Sequence, residues 1–159
     1  MANYSTNELS SLTLGAHGQV HITAYGNGIM YYEAVGPANL ELLETFVSVD
    51  QSAITEFSEQ FEFWCEVIEI KESCMILDDA KALLTEYLIE TKKHGLNAHA
   101  TAFVLKPDVE GAFMMAEIYE QIYSQAGFIF KLFDDPQAAF EWAESQRQHA
   151  LKSIGAKKA

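Results

Sequence analysis

Two pairs of adjacent aspartates, Asp78–Asp79 and Asp134–Asp135, are the residues whose type and spacing come closest to a chemical site. Four such carboxylates would supply the oxygen ligands that a hard divalent cation prefers. Each pair, however, stands where a helix is expected to begin, and an aspartate there accepts backbone N–H groups and complements the helix dipole. Neither pair belongs to an Asp-x-Asp-x-Asp loop, so the sequence favours helix capping over a metal site.

The usual nucleophiles and bases form no catalytic pattern in this sequence. It has no Gly-x-Ser-x-Gly nucleophile turn, no phosphate-binding glycine loop and no His-Glu-x-x-His zinc motif. The two cysteines, Cys65 and Cys74, lie in apolar stretches, where a free cysteine packs as a small hydrophobe. We therefore expect a protein without catalytic activity that carries neither a metal nor another cofactor.

The charge of the chain argues against two classes of partner. The formal net charge is −13, and residues 1–70 contain no lysine or arginine. Nucleic-acid backbones and anionic lipid surfaces repel a field of this sign. The sequence contains no run of roughly 20 apolar residues, and its first residues show neither the cationic start nor the apolar stretch that is typical of a secretory signal. We therefore expect a cytoplasmic protein that binds neither nucleic acid nor membranes.

The hydrophobic periodicity predicts the helices and strands that would position any site. Residues 20–25 and 29–35 alternate on either side of a glycine-rich turn and predict a hairpin. An asparagine-capped helix over 39–49 follows. Residues 50–63 fit both a helical and a strand spacing, and we favour a short helix followed by a strand that ends at Ile70.

The second half of the chain alternates more clearly. The expected elements are a helix from Asp78 or Asp79 to about His94, a strand over 98–105, a helix from about 109 to 125, a strand over 128–133 and a helix from Pro136. Such alternation implies an α/β domain in which right-handed crossovers join mainly parallel strands. We expect one domain over 19–150, with a mixed sheet of about five strands flanked by about four to five helices. A loosely ordered lead-in over 1–18 precedes it and a flexible basic tail over 151–159 follows it.

This arrangement resembles the STAS family, which is named for sulfate transporters and anti-sigma factor antagonists. The resembling segments are a central strand over Trp64–Ile70, a turn into a helix over Cys74–Leu84, a strand over Gly95–Leu105 and a strand-to-helix step over Phe133–Trp142. The likeness extends over roughly residues 19–145. It implies the single-domain SpoIIAA-like fold.

The resemblance also implies a non-enzymatic regulatory module. STAS-like domains dock on proteins, some bind nucleotides or apolar molecules, and phosphorylation switches some of them. In the switched members, a serine or threonine at the start of the helix after the central strand takes the phosphate. Here Asp78 lies at the family's aspartate position and Asp79 at the phosphoacceptor position. A carboxylate replaces the hydroxyl, so we expect no phosphorylation switch at this helix.

A candidate binding surface follows from the alternation of side chains around Trp64. If Cys65 and its alternate neighbours face the helices, then Glu62, Trp64 and Glu66 lie together on the opposite face of the sheet. The candidate binding residues are Trp64, Glu62, Glu66, Tyr32, Asp78 and Asp79. An acidic, aromatic face of this kind, left uncovered by helices, would bind a partner protein or a second copy of the chain. The alternative is a carrier or sensor that holds a small apolar ligand, lipid-like or a nucleotide, in a pocket between the sheet and the helices.

Overall fold

Strands and helices alternate through most of the chain. The computed structural model describes residues 3–5, 18–26 and 28–158. The strands are β1 (Asn3–Ser5), β2 (Gln19–Tyr25), β3 (Ile29–Val35), β4 (Cys65–Lys71), β5 (Thr101–Leu105) and β6 (Phe130–Phe133), and the helices are α1 (Leu40–Gln60), α2 (Asp78–Lys93), α3 (Ala112–Gln125) and α4 (Pro136–Lys158).

The strands form one mixed sheet in the order β1-β2-β3-β4-β5-β6. β2 pairs antiparallel with β1 and with β3, whereas β3, β4, β5 and β6 run parallel to one another. One helix connects each pair of neighbouring parallel strands, which is the crossover that parallel pairing requires. The predicted α/β class with a mixed, mainly parallel sheet is confirmed.

The two ends of the chain differ from the sequence-based expectation. Asn3–Ser5 pairs with β2, so three residues of the predicted lead-in extend the sheet to six strands in the described part of the chain. The rest of that lead-in, residues 1–2 and 6–17, lies outside the described residues. At the other end, α4 continues through Lys158, so the segment predicted as a flexible tail is helical as far as that residue.

The ambiguous segment belongs to one long helix. α1 runs unbroken for 21 residues from Leu40 to Gln60, so the predicted helix end near Val49 is wrong. Its beginning is as predicted, because the Asn39 side chain accepts the N–H of Leu42 at 3.0 Å. The helix continues because the apolar side chains on one of its faces stay buried through Phe57.

The two faces of the sheet are covered by different numbers of helices. α1, α2 and α3 cover one face, where the larger hydrophobic cluster includes Ile22, Met30 and Phe103 from the sheet. α4 covers β4, β5 and β6 on the other face. There Ala139 and Ala143, both fully buried, lie in a second cluster with small strand residues. The small side chains allow α4 to approach the sheet closely.

Candidate functional site

The predicted acidic, aromatic surface around Trp64 is absent from the outside of the molecule. Trp64 is 3% exposed, Glu66 is 7% exposed and Tyr32 is 2% exposed. Cys65 faces a helix, as assumed, but that helix is α4, and the opposite face is covered by the three other helices. Of this group only Glu62, in the turn before β4, is exposed.

The less covered part of the sheet lies on β2 and β3 instead. The side chains of His21 and Tyr25 on the α4 side of β2 are exposed. The Phe140 ring of α4 reaches this region and stacks on Tyr31, with the ring centroids 5.3 Å apart. The helices therefore cover the sheet unevenly, as predicted. The less covered strands are β2 and β3, whereas the prediction was the strand that follows Trp64.

Both aspartate pairs are exposed and lie at the beginning of a helix, as the capping interpretation predicts. Only the pair at α4 forms the predicted cap bond. Asp135 Oδ2 accepts the N–H of Ala138 at 3.1 Å at the start of α4. At α2 the N-cap is Leu77, which makes no side-chain cap bond, and Asp79 Oδ1 lies 2.8 Å from the N–H of Ala80. Among the described residues, no group of three or more histidine, cysteine, aspartate or glutamate side chains is arranged to hold a metal ion.

Two other carboxyl groups are buried between the sheet and the helices. Asp50 of α1 accepts the hydroxyl of Tyr32 at 2.6 Å on one oxygen and the hydroxyl of Tyr87 at 2.7 Å on the other. Glu66 of β4 accepts the hydroxyl of Thr101 at 2.7 Å. α1, α2 and three neighbouring strands therefore meet at one polar cluster inside an otherwise apolar interior.

Burial changes the protonation of both carboxyl groups. It raises the pKa of Glu66 from 4.5 to about 8; the charge of Asp50 adds to the rise, and hydrogen bonds from Thr101 and Tyr32 oppose it. Burial also raises the pKa of Asp50 from 3.8 to about 6, against the hydrogen bonds from Tyr32 and Tyr87. We call these two residues the carboxyl pair. Both shifts favour retention of a proton by the pair to a higher pH than two exposed carboxyl groups would allow.

An apolar cavity of about 90 Å³ lies next to this cluster, between the sheet and α1, α2 and α3. Its walls include the side chains of Val20, Ala34, Leu42, Leu43, Phe46, Ile68, Ile70, Met75, Leu84, Phe103 and Tyr119. A second, polar cavity of about 20 Å³ lies against Asp50 and Glu66. For comparison, an engineered apolar cavity of about 150 Å³ binds benzene, and roughly 10–15 Å³ is enough for one water molecule.

The apolar cavity reaches the surface at the carboxyl ends of β3 and β4. The half-buried residues Gly36, Ala38 and Ile76 line it there. The segments that carry them are joined by hydrogen bonds from Ala38 N–H to the Met75 carbonyl at 2.9 Å and from Leu77 N–H to the Ala38 carbonyl at 3.1 Å.

Sequence reasoning named Glu66 as a candidate binding residue, but on an exposed surface, and it missed Asp50, although each residue gave a signal of its buried position. Asp50 falls on the apolar face of α1, at helical spacing from Phe46, Ala53 and Phe57. That spacing is visible only when residues 50–63 are assigned to one continuous helix. Glu66 stands in a strand that is buried on both faces, where a charge is rare unless it is paired.

The strand order and the distribution of the helices define an α/β domain with the SpoIIAA-like fold. A solved structure similar to this chain is that of an uncharacterized protein from the DUF3478 family with a SpoIIAA-like fold, from Shewanella loihica PV-4. The two chains are 16% identical, with a TM-score of 0.55, and the match covers 80% of this chain and 94% of that chain. The predicted STAS-like resemblance is therefore confirmed at the level of the fold.

Sequence comparison adds no further relative. No family model matches the chain, and no curated protein matches it either. Within the described residues, no helix is both long and apolar enough to span a bilayer.

Proposed function

We propose that this protein is a non-enzymatic binding module that carries or senses a small apolar ligand between its sheet and helices α1, α2 and α3. The observation that carries the proposal is the apolar cavity of about 90 Å³, which opens at the carboxyl ends of β3 and β4. A ligand of this kind was the alternative that the sequence left open. The SpoIIAA-like fold is compatible with it.

The energetics of the cavity support a ligand over an empty space. Protein interiors are packed closely, and few voids larger than a water molecule persist. Because the cavity opens at the surface, its apolar walls contact water when no ligand is bound, and this exposure of apolar surface is unfavourable. An apolar ligand would remove this exposure by filling the space, and wall atoms such as those of Ile68 and Phe103 would gain contacts with it.

Benzene provides a direct test, because it is uncharged and does not titrate. We expect methyl resonances of Ile68 and Leu84, which line the cavity, to shift on addition of benzene in ¹H–¹³C spectra. Ala34→Leu places three more carbons at the cavity wall and should abolish these shifts. Ala24→Leu is the matched control, because Ala24 lies on the same sheet face but does not line the cavity.

Equal benzene shifts in wild type and Ala34→Leu would place the ligand elsewhere. No saturable shift in wild type, together with native mass spectra free of any co-purified molecule, would remove the cavity as a ligand site.

A second candidate function is protein interaction, which the resemblance to anti-sigma factor antagonists implies. The supporting observation is a set of exposed apolar side chains at the starts of α2 and α3: Leu77 is 60% exposed, Phe113 is 101% exposed and Met114 is 56% exposed. Asp78 and Asp79 lie beside Leu77 and are exposed. A basic, apolar segment of a partner protein would match this combination. Chemical crosslinking in cells should recover one partner with wild type and lose it with Phe113→Ser, whereas recovery by both would count against this surface.

A further inference from the structure

The polar and apolar cavities share a wall of aromatic side chains. Tyr32, Phe46 and Tyr123 line both. The Tyr32 ring borders the apolar cavity while its hydroxyl binds Asp50 at 2.6 Å. The Phe46 ring packs edge-on against the rings of Tyr32 and Tyr87, with centroids 6.2 and 6.1 Å apart. The hydrogen bond between Tyr32 and Asp50 therefore helps to fix the position of this wall.

The carboxyl pair is surrounded by neutral groups from each element that packs against it. Tyr32 comes from β3, Tyr87 from α2, Thr101 from β5 and Tyr123 from α3. Burial raises the pKa of Tyr32, Tyr87 and Tyr123, so these hydroxyls stay neutral across the physiological range. In the part of the chain that the structure describes, the charge that acts on the Glu66 carboxyl is that of Asp50.

An apolar ligand and a charge on the carboxyl pair oppose each other. Apolar atoms placed behind the shared wall displace water from the apolar cavity and make the surroundings of Tyr32, which donates to Asp50, less polar. A less polar environment disfavours the ionised form of a carboxyl group. When both carboxyls are ionised, two negative charges are confined to one buried site. The polar cavity, at about 20 Å³, has room for about one water molecule to solvate them.

Building on the proposed function, we propose that ligand binding in the apolar cavity is coupled to protonation of the carboxyl pair formed by Asp50 and Glu66. The cavity binds an uncharged apolar ligand more tightly while the pair retains a proton, and ionisation of the second carboxyl weakens that binding. The coupling is reciprocal, because a ligand that binds the protonated form more tightly must also raise the proton affinity of the pair.

The affinity for benzene as a function of pH tests this coupling. Benzene has no titrating group, so any pH dependence belongs to the protein. We expect the Kd of wild type to be about three- to tenfold higher at pH 9 than at pH 6, since one unit of pKa corresponds to a factor of ten. Circular dichroism at both pH values shows that the chain remains folded.

Isosteric variants assign the effect to the pair. Glu66→Gln and Asp50→Asn each keep the shape of the side chain but cannot ionise, and each should make the Kd for benzene nearly independent of pH. Glu120→Gln, at an exposed position of α3, is the matched control and should retain the dependence of wild type. Because a buried substitution can prevent folding, the carboxyl ¹³C shifts of wild type give a second measurement. The apparent pKa of the pair should rise when benzene is added.

The results separate this inference from the proposed function. Saturable binding of benzene with the same Kd at pH 6 and pH 9 would overturn the coupling and leave the binding function intact. A pH dependence that persists in both carboxyl variants would also overturn it. Absence of benzene binding at both pH 6 and pH 9 would contradict the binding function and the coupling together.

Discussion

At the scale of single residues, the buried carboxyl groups of Asp50 and Glu66 oppose the stability of the fold. Neither forms an ion pair with a residue that the structure describes, and their hydrogen bonds come from the hydroxyls of Tyr32, Tyr87 and Thr101. Neutral donors compensate a buried charge only in part, so both groups hold protons more tightly in the folded chain than in the unfolded chain. The carboxyl pair therefore links stability to pH.

Stability should fall as the pH rises from 5 to 8. The pKa values of about 6 for Asp50 and about 8 for Glu66 exceed the ordinary values of 3.8 and 4.5. The folded state therefore binds more protons than the unfolded state in this range, and a higher pH favours unfolding. We expect these groups to lower the free energy of unfolding by on the order of 3–5 kcal/mol between pH 5 and pH 8.

Urea denaturation at intervals of one pH unit measures this effect. Glu66→Gln should remove more than half of the slope, whereas Glu120→Gln should leave it unchanged. Equal slopes in wild type and Glu66→Gln would show that other groups cause the dependence.

The hydroxyl of Tyr32 should contribute to the stability of the fold through its hydrogen bond to Asp50. Tyr32→Phe removes a donor from Asp50 without changing the ring. The carboxyl then loses a hydrogen bond inside the core, and we expect a loss of about 1–3 kcal/mol in the free energy of unfolding. Tyr25→Phe is the control, because Tyr25 is 53% exposed. Similar small losses in both variants would contradict the role assigned to Tyr32.

At the scale of elements, the two sides of the sheet are packed in different ways. α4 covers its side alone, and Ala139 and Ala143 near its beginning are both 0% exposed. They lie in one cluster with Val67, Ala102 and Val104 of the sheet. On the other side, three helices leave the apolar cavity. The α4 side therefore has no room for a larger side chain, whereas the cavity side does.

Enlarging a residue on the α4 side should destabilise the protein. Ala143→Leu inserts three carbons into a fully packed contact, and we expect a loss of about 1–3 kcal/mol. Ser145→Leu introduces a leucine at an exposed position of the same helix and should have a much smaller effect. The comparison with Ala34→Leu at the cavity is informative, since that variant should be tolerated better. Thermal denaturation followed by circular dichroism ranks the three variants, and equal melting temperatures would contradict the packing difference.

At the scale of the whole molecule, the net charge of −13 is distributed unevenly. Lys71 is the first lysine or arginine in the chain, and it pairs with Glu33 at 2.9 Å on the surface. Acidic side chains elsewhere in the first seventy residues repel one another. Self-repulsion of this kind destabilises a compact state and is screened by salt.

Added salt should therefore stabilise the protein. We expect the melting temperature to rise by about 2–4 °C between 20 and 300 mM sodium chloride, which corresponds to about 1 kcal/mol for a domain of this size. Potassium chloride should give the same increase, because screening depends on ionic strength. A melting temperature that falls with either salt would show that attractive ion pairs dominate instead.

The sequence by itself determined the order and type of most elements, because these follow from local patterns. Residues 20–25 and 29–35 form the predicted hairpin, Asn39 caps the predicted helix, and Pro136 begins α4. Alternation of strands and helices was sufficient to indicate the α/β class, since parallel strands need helical crossovers. Strand spacing also showed correctly that Trp64 and Cys65 face opposite sides of the sheet.

Only the tertiary structure decided how many helices cover each side. Trp64 and Glu66 were expected at the surface, but three helices cross to their side and bury them. The pairing of Asp50 with Tyr32 and Tyr87, and the cavity beside it, likewise depend on contacts among α1, α2 and the sheet. Local periodicity shows which residues share a face, whereas burial of that face depends on distant segments that the pattern does not contain.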